Sequence, residues 1–446
     1  MRLDLVQKYA APVPRYTSYP TAPQFSGGVA SNTYERWLSE LPSDAALSLY
    51  AHIPFCETLC WYCGCTTKAT KRYEPVATYV RSLISEMSHV TQHTKRTQVV
   101  QHMHWGGGSP NILDPGDIVR LAGAFAAYFN FADDIEFAVE VDPRTETREQ
   151  TAAFAEAGVT RVSLGVQDFD ERVQLAINRI QSFERTAALV EDFRAEGIRS
   201  VNIDLVYGLP RQTLESALRT IDLVLELDPD RIALFGYAHL PSRIAHQRMI
   251  NDGDVPPPIL RFEQSEALAT RLAEGGYERI GLDHFAKPSD PLCQLAVNRN
   301  FQGYTHDGVE TLIGLGASAI GKLPQGYVQN ISATPGYQRA IRERGLATAR
   351  GHCFTLEDRM RAFVIERLMC DFRFPAEQLV AQFGAQAAEI IRVAEELLSS
   401  NEDNLLAPEP GGVFKITDIG RPFVRTIAAQ FDSYLGRTQA KYSLGI

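Results

Sequence analysis

The stretch LSLYAHIPFCETLCWYCGC, residues 47–65, joins a short apolar run to a loop holding four cysteines, Cys56, Cys60, Cys63 and Cys65. The run reads as a buried strand ended by a turn at Pro54. The amphipathic stretch YVRSLISEMSHV (79–90) follows, with Val80, Leu83, Ile84 and Met87 at helical spacing. Working outward, the same unit recurs. Strand-like runs are VVQHMHWGGGSP (99–110), IEFAVEVDP (135–143), RVSLGVQDFD (161–170), SVNIDLVYGLP (200–210) and RIALFGYAHLP (231–241). Between them lie the helix-like stretches DIVRLAGAFAAYF, TAAFAEAG, ERTAALVEDFRAEG and TLESALRTIDLVLEL, and Gly158 and Gly197 stand where helices should stop. Six strand–helix units in a row predict an α/β fold of parallel strands with right-handed crossovers. With six units rather than eight, a partial barrel is expected.

Polar residues fall at one edge of this pattern. Gly107, Glu140, Gln167, Asp204 and Ala238 each stand at or just past the C-terminal end of a predicted strand. In parallel α/β architectures that edge carries the ligand site. A buried strand is otherwise apolar, so Glu140 and Asp204 need a partner there. One such residue alone would be a helix cap or an arginine partner, but five in successive units point to a shared pocket.

The bulk properties bound the function. With 446 residues the chain is long enough for two or three domains, and 45% hydrophobic with 22% charged residues is ordinary globular composition. A net charge of -10 argues against a general nucleic-acid binder. No run of about 18 apolar residues is found, so no membrane span is expected. The start MRLDLVQKYAAPVPRYTSYP lacks an apolar core of secretory type, so a cytoplasmic location is expected. Thiols stay reduced there, and clustered cysteines then mean metal or catalysis more often than disulfides. Cys293, Cys353 and Cys370 are scattered and read as ordinary thiols.

Three regions are expected. Residues 1–46, containing PRYTSYPTAPQF, read as an extended arm. Residues 47–350 hold the strand–helix units and an extension. Residues 351–446 read as a mainly helical, winged-helix-like domain, from LEDRMRAFVIERLM, EQLVAQFGAQAAEIIRVAEELLS and a hairpin-plus-helix pattern in GGVFKITDIGRPFVRTIAAQF. IGLGASAIG (313–321) imitates a dinucleotide fingerprint but lacks the βαβ unit and acidic residue that would support one.

Thiolates take soft or borderline metals, so the cysteine loop could hold zinc, copper or an iron–sulfur cluster. Structural zinc prefers four ligands in two separated pairs, whereas one short loop wraps a larger cube more easily. In GGGSP (106–110), glycines let the backbone approach a ligand closely.

The spacing Cys-x3-Cys-x2-Cys is similar to the signature of the radical S-adenosylmethionine (SAM) superfamily. Within it, RYTSYPTAPQF, YAHIPFC, CGC, HWGGGSP, EVDPR, GVQDF, NIDLVYGLP, YAHLP and RNFQGYT, in that order, resemble the oxygen-independent coproporphyrinogen III oxidases over most of the chain. The resemblance implies a partial (β/α)6 barrel with an N-terminal arm and a C-terminal helical domain. It implies that Cys56, Cys60 and Cys63 bind three irons of a [4Fe-4S] cluster, and that SAM chelates the fourth iron. A 5'-deoxyadenosyl radical would then take a hydrogen from the β-carbon of a propionate. Loss of an electron and carbon dioxide leaves a vinyl group, and two such events convert coproporphyrinogen III to protoporphyrinogen IX.

The resemblance further implies two SAM molecules. Tyr50, Gly107, Glu140 and Ile320 would contact the cluster-bound one, and Tyr62, Gly108, Ser109, Gln167, Arg179, Asp204 and Ala238 the second. Cys65 and Tyr62 would serve catalysis. A flavodoxin or ferredoxin system would donate electrons, and a monomer is expected. Because the substrate carries four propionates, an acidic protein needs a local positive patch. Arg15 is the candidate, with Tyr16 and Tyr19 beside it in an arm that could cover the barrel mouth, and His284 or Lys287 could add to it. Ser109 stands where the family usually has threonine, Asn298 where a histidine is expected, and the segment before Arg299 is short. Two competitors remain. A haem-carrying relative would typically lack the fourth cysteine and the arm. A zinc-stabilised binding module would leave the strand-end residues unexplained.

Overall fold

The computed structural model describes residues 3–437 and 442–445. Six strands form its centre: β1 (Ala46–Ile53), β2 (Val99–Gly107), β3 (Asn130–Val141), β4 (Arg161–Gln167), β5 (Ser200–Tyr207) and β6 (Arg231–Gly236). They lie side by side in chain order and pair in parallel throughout. An order without reversal makes every crossover advance the same way, so the connecting helices fall on one face. Those helices are α3 (Glu74–Val90), α4 (Pro115–Tyr128), α5 (Arg148–Glu156), α6 (Glu171–Ile177), α7 (Phe183–Ala195), α8 (Leu214–Leu227) and α9 (Pro258–Glu274), numbered after α1 (Leu3–Tyr9) and α2 (Ser31–Glu40) of the arm.

The layer between sheet and helices is the main core. Trp105, Phe137, Phe125, Phe154 and Phe193 are fully buried there. Trp105 meets Phe137 edge-on at 5.0 Å. Local signals agree with this packing: Thr147 and Thr213 each close a capping box at the start of α5 and α8.

The expected six units are present, and the sheet extends well beyond them. Thr311–Leu315 pairs in parallel with β1, and Ile320–Leu323, Gly326–Asn330 and Thr348–Cys353 continue antiparallel. His284–Ala286 and Glu278–Ile280 add antiparallel strands beyond β6. The result is an open sheet of 12 strands rather than a closed barrel. These added strands are short, three to six residues, and periodicity over so few positions is a weak signal.

The arm does not stand free. Leu5, Val6, Val13, Tyr16 and Tyr19 share a second core with Val364, Phe374, Phe414 and Phe431 of the C-terminal segment. That segment packs helix Leu356–Asp371 and helix Ala388–Ser399 with a three-stranded sheet whose hairpin is Leu406–Glu409 and Val413–Ile416. Among the described residues no helix is long and apolar enough to cross a membrane.

Candidate active site

Beyond β1 the chain turns at Pro54, and Phe55–Cys56 bridges in parallel to Lys68–Ala69, closing the cysteine loop at its base. Backbone groups then fix it from two sides. Trp61 N–H donates to Ile177 O at 2.9 Å, and Asn178 Nδ2 donates to Leu59 O at 2.9 Å. Past β6, Gln247 Nε2 donates to Tyr62 O at 2.9 Å and His246 Nε2 to Cys63 O at 2.7 Å. The loop is therefore held by its peptide groups, and its thiols form no disulfide. All four cysteines are unpaired.

The glycine turn at the end of β2 is stitched to this loop. Gly108 N–H donates to Ile53 O and Ser109 N–H to Phe55 O at 2.8 Å. Gly107 adopts φ +110°, and a Cβ there would stand 2.5 Å from the His52 ring. At Gly106 a Cβ would stand 2.7 Å from the Glu140 carboxylate. Crowding from the protein itself thus requires glycine here, in addition to any ligand. Glu140 Oε2 accepts from Gly107 N–H at 3.1 Å and Oε1 from His104 Nε2 at 3.1 Å. Burial pushes this carboxyl up, but those donors outweigh it and hold Glu140 below its ordinary pKa.

A buried ion network lies behind the cysteines. Asp142 accepts from Arg144 Nη2 at 2.6 Å and from Arg179 Nη2 at 3.2 Å. Burial pushes Asp142 up, yet the two guanidinium groups bring it down to about 2. Both arginines also reach Cys60 Sγ, at 3.4 Å and 3.5 Å. Arg179 stands just past α6, after Asn178 in the left-handed region at φ 57°. It is 6% exposed, so its ion pair is internal rather than a surface contact. Its Nε is buried without a partner. Asp142 and Arg144 were not singled out from the sequence. EVDPR stands there only as one of the family-like motifs, with no role given to either residue, although the acidic and basic residues flanking Pro143 were the available signal.

Further along the edge, Gln167 takes φ 70° at a register shift between β4 and β5. A left-handed glutamine is a strained position of the kind that collects at functional sites. Asp204 accepts from Ser163 Oγ at 2.9 Å and Asn202 Nδ2 at 2.8 Å. Burial, and after it the Glu140 carboxylate, push Asp204 up to about 6.

These edges enclose a cavity of about 700 Å³. Of the residues expected from the sequence, Arg15, Cys56, Cys60, Tyr62, Cys63, Cys65, Gly107, Gly108, Ser109, Glu140, Gln167, Arg179, Asp204 and Ala238 line it. Tyr50 and Ile320 do not line it. Tyr50 sits within β1, its hydroxyl 2.9 Å from His52 Nδ1 and its ring stacked on His104. Ile320 opens a strand two removed from β1. Arg15 donates to Gly236 O at 2.7 Å at the cavity wall. Its neighbours turn elsewhere: Tyr16 donates to Asp432 Oδ2 at 3.0 Å and Tyr19 lies 3.1 Å from Ser433 Oγ. His284 is buried against Asp283, and Lys287 pairs with Asp228 at 2.8 Å, so neither joins this wall. Asn298 bonds to Arg367 Nη2 at 3.4 Å, also away from it.

The donor set fits an iron–sulfur cube better than a single ion. Four thiolates around one zinc, with Zn–S bonds of about 2.3 Å, would place their sulfurs about 3.8 Å apart. Among the described residues no three of these cysteines bring their sulfurs within 4.8 Å of one another. Cys65 is exposed, and its N–H donates to Cys63 Sγ at 3.4 Å. Hydrogen bonding from Cys65 pulls the Cys63 thiol below its ordinary range despite its burial. Thiolate is the form a metal binds. The unpartnered Nε of Arg179 adds a donor with no protein acceptor.

Residues 50–224 match the family model of the radical SAM superfamily. The chain is 47% identical over 440 residues to the oxygen-independent coproporphyrinogen III oxidase of Bradyrhizobium diazoefficiens, covering 98% of each. It is 44% identical to the anaerobic coproporphyrinogen III oxidase 1 of Cereibacter sphaeroides, covering 98% of this chain and 97% of the relative. Among solved structures it resembles the coproporphyrinogen III oxidase of Escherichia coli, a radical SAM enzyme. The TM-score is 0.91 at 36% identity, over 97% of this chain and 98% of that one.

Proposed function

The chain belongs to the oxygen-independent coproporphyrinogen III oxidases, and from that membership we propose how its residues carry out the reaction. The reaction is the oxidative decarboxylation of two propionate side chains of coproporphyrinogen III to vinyl groups, giving protoporphyrinogen IX. When bound, a [4Fe-4S] cluster and SAM supply the electron and the 5'-deoxyadenosyl radical that removes hydrogen from a propionate β-carbon.

The chain's own part is binding, aim and shielding. Cys56, Cys60 and Cys63 are the cluster ligands. Cys65 stays outside the ligand set and hydrogen-bonds the Cys63 sulfur, which stabilises the thiolate and tunes the cluster potential. Gly107, its N–H held by Glu140, and Glu140 itself would orient the amino-acid end of the cluster-bound SAM, with Tyr50 and Ile320 supporting from behind the cavity wall. Tyr62, Gly108, Ser109, Gln167, Arg179, Asp204 and Ala238 hold a second SAM. Arg179 suits its carboxylate, and Asp204 its ribose hydroxyls or amino group. Arg15 faces the propionates. Leu59, Val206, Phe235 and Ile244 give the cavity an apolar wall, which keeps water from a radical. A one-electron donor of flavodoxin or ferredoxin type and a monomeric enzyme complete the reading.

The observation that carries these roles is the convergence of three unpaired thiols, the crowded glycine turn and a buried arginine with an unspent N–H on one cavity. The test is an anaerobic assay with SAM, reductant and coproporphyrinogen III. Vinyl product with 5'-deoxyadenosine is expected. Haem binding without decarboxylation would favour a haem carrier instead.

A further inference from the structure

We propose that Arg261 and Arg299, completed by Arg15, form a side pocket that anchors a carboxylate of a propionate not undergoing reaction. The inference rests on the substrate reading above and adds a recognition site to it. The pocket is lined by Arg15, Arg261, Arg279, Arg299, Arg425 and Asp283, among others. Arg15 and Gly236 belong to its wall and to the wall of the main cavity, so the two adjoin. Its volume is about 30 Å³. A water needs about 10–15 Å³ by this kind of measure, so the space holds about two water-sized groups, the bulk of a carboxylate.

Its charge is unbalanced. Five guanidinium groups face one acidic side chain, Asp283, among the described lining residues, in a protein of net charge -10. Two of the five are already committed. Arg425 donates to Pro14 O at 3.0 Å and Leu444 O at 2.8 Å, and also to Val13 O. Arg279 donates to Leu282 O at 3.0 Å and lies 3.5 Å from Glu266. Arg15 donates one N–H to Gly236 O.

The other two have donors to spare. Arg261 is 7% exposed and gives Nη2 to Tyr237 O at 2.7 Å, while its Nε has no partner. The Arg299 side chain is 4% exposed and stacks 4.2 Å over the Tyr304 ring. Its Nε and Nη1 are without hydrogen bonds, Nη1 lying 3.6 Å from Asp283. Buried charged donors without acceptors are costly, and an incoming anion would satisfy them. Burial raises Asp283, but Arg299 and His284 hold it far below the ordinary range, so it stays charged and still leaves the cluster positive. Sharing the Arg15–Gly236 wall with the main cavity places the pocket beside bound substrate, which favours an anion carried by that substrate over a free one.

Substrate kinetics of the cluster-loaded enzyme test this. Arg261→Gln and Arg299→Gln should each raise KM for coproporphyrinogen III about ten- to a hundredfold, the loss typical of a charge-assisted hydrogen bond, with kcat falling much less. Fluorescence titration gives a second readout independent of turnover. The wild type should bind coproporphyrin III at least about tenfold more tightly than its tetramethyl ester, and Arg299→Gln should shrink that ratio. If a Gln variant does not accumulate folded, Arg261→Lys and Arg299→Lys carry the same measurements, with about a threefold rise in KM expected. Unchanged KM and unchanged ester discrimination in folded variants overturn the proposal. A wild type that forms no vinyl product overturns the substrate reading, and the porphyrin titration then decides the pocket by itself.

Discussion

Two binding regions meet at Arg15 and Gly236, and they are built in opposite ways. The cysteine loop takes its four thiols from ten consecutive residues, 56–65, and its supports are hydrogen bonds to its own peptide groups. The arginine pocket draws Arg15 from the arm, Arg261 from α9, Arg299 from a short strand at Asn298–Asn300 and Arg425 from the C-terminal helix Val424–Ala428. The first needs the edge of the sheet and the two nearby segments around Asn178 and Gln247 that clasp the loop. The second exists only once the arm and the C-terminal segment have closed on that sheet. The contrast separates a site encoded locally from one encoded by docking, and disturbing each should give different symptoms.

The largest effect is expected at the loop. Cys56→Ser, Cys60→Ser and Cys63→Ser should each lose the iron, the sulfide and SAM cleavage. Cys65→Ser should keep the iron while slowing turnover, and iron loss in that variant would place Cys65 among the ligands. Next, Arg179→Ala leaves Asp142 with less compensation in a buried setting and should cost about 3–5 kcal/mol in denaturant unfolding. Wild-type stability in that variant would show the network to be dispensable. On the other side, Arg425→Ala frees the carbonyls of Val13, Pro14 and Leu444 and should cost about 2–3 kcal/mol. Limited proteolysis should then cut the arm before the central sheet, and an arm as protected as in the wild type would contradict a docked origin for the pocket.

A smaller effect follows from pH. The folded pKa of Asp142, about 2, lies below its ordinary value of about 3.9. A depressed carboxylate contributes stability that is fully present above the unfolded value and lost as pH falls through the folded one. The window is therefore about pH 4 down to about pH 2, and the contribution about 2–3 kcal/mol. Asp142→Asn should remove that slope from the acid unfolding curve, and an unaltered slope would assign it to other groups. The smallest effect is expected for Ser109→Thr. The Ser109 hydroxyl lies 3.7 Å from Cys56 Sγ, and threonine keeps it, so turnover should stay within about twofold. A tenfold loss would show that the turn has no room for one methyl group.

Much of the first region was legible in the chain. Glu140, Gln167 and Asp204 stood out because a polar side chain at the end of an apolar strand needs a reason, and all three line the cavity. EVDPR was visible as a motif, but the roles of Asp142 and Arg144 were not, because only packing buries them beside Cys60. Tyr50 and Ile320 show the converse. Their motif positions were clear, but strand pairing sets Tyr50 against His104 and Ile320 against Gln329, off the cavity wall. Arg15, expected to face the propionates, lines the cavity, while Tyr16 and Tyr19 went into the C-terminal core.

By itself the sequence determined the six strand–helix units, the edge at which they present polar groups and the cysteine spacing, because periodicity, turns and ligand spacing are properties of neighbours along the chain. Only the tertiary structure decided that the sheet runs on to 12 strands, that the arm shares a core with the C-terminal helices, and that Arg261 and Arg299 keep unspent donors beside Arg15. Those facts depend on contacts between residues hundreds of positions apart. No local pattern records them, since an isolated arginine in sequence looks the same whether it ends in solvent or in a pocket awaiting an anion.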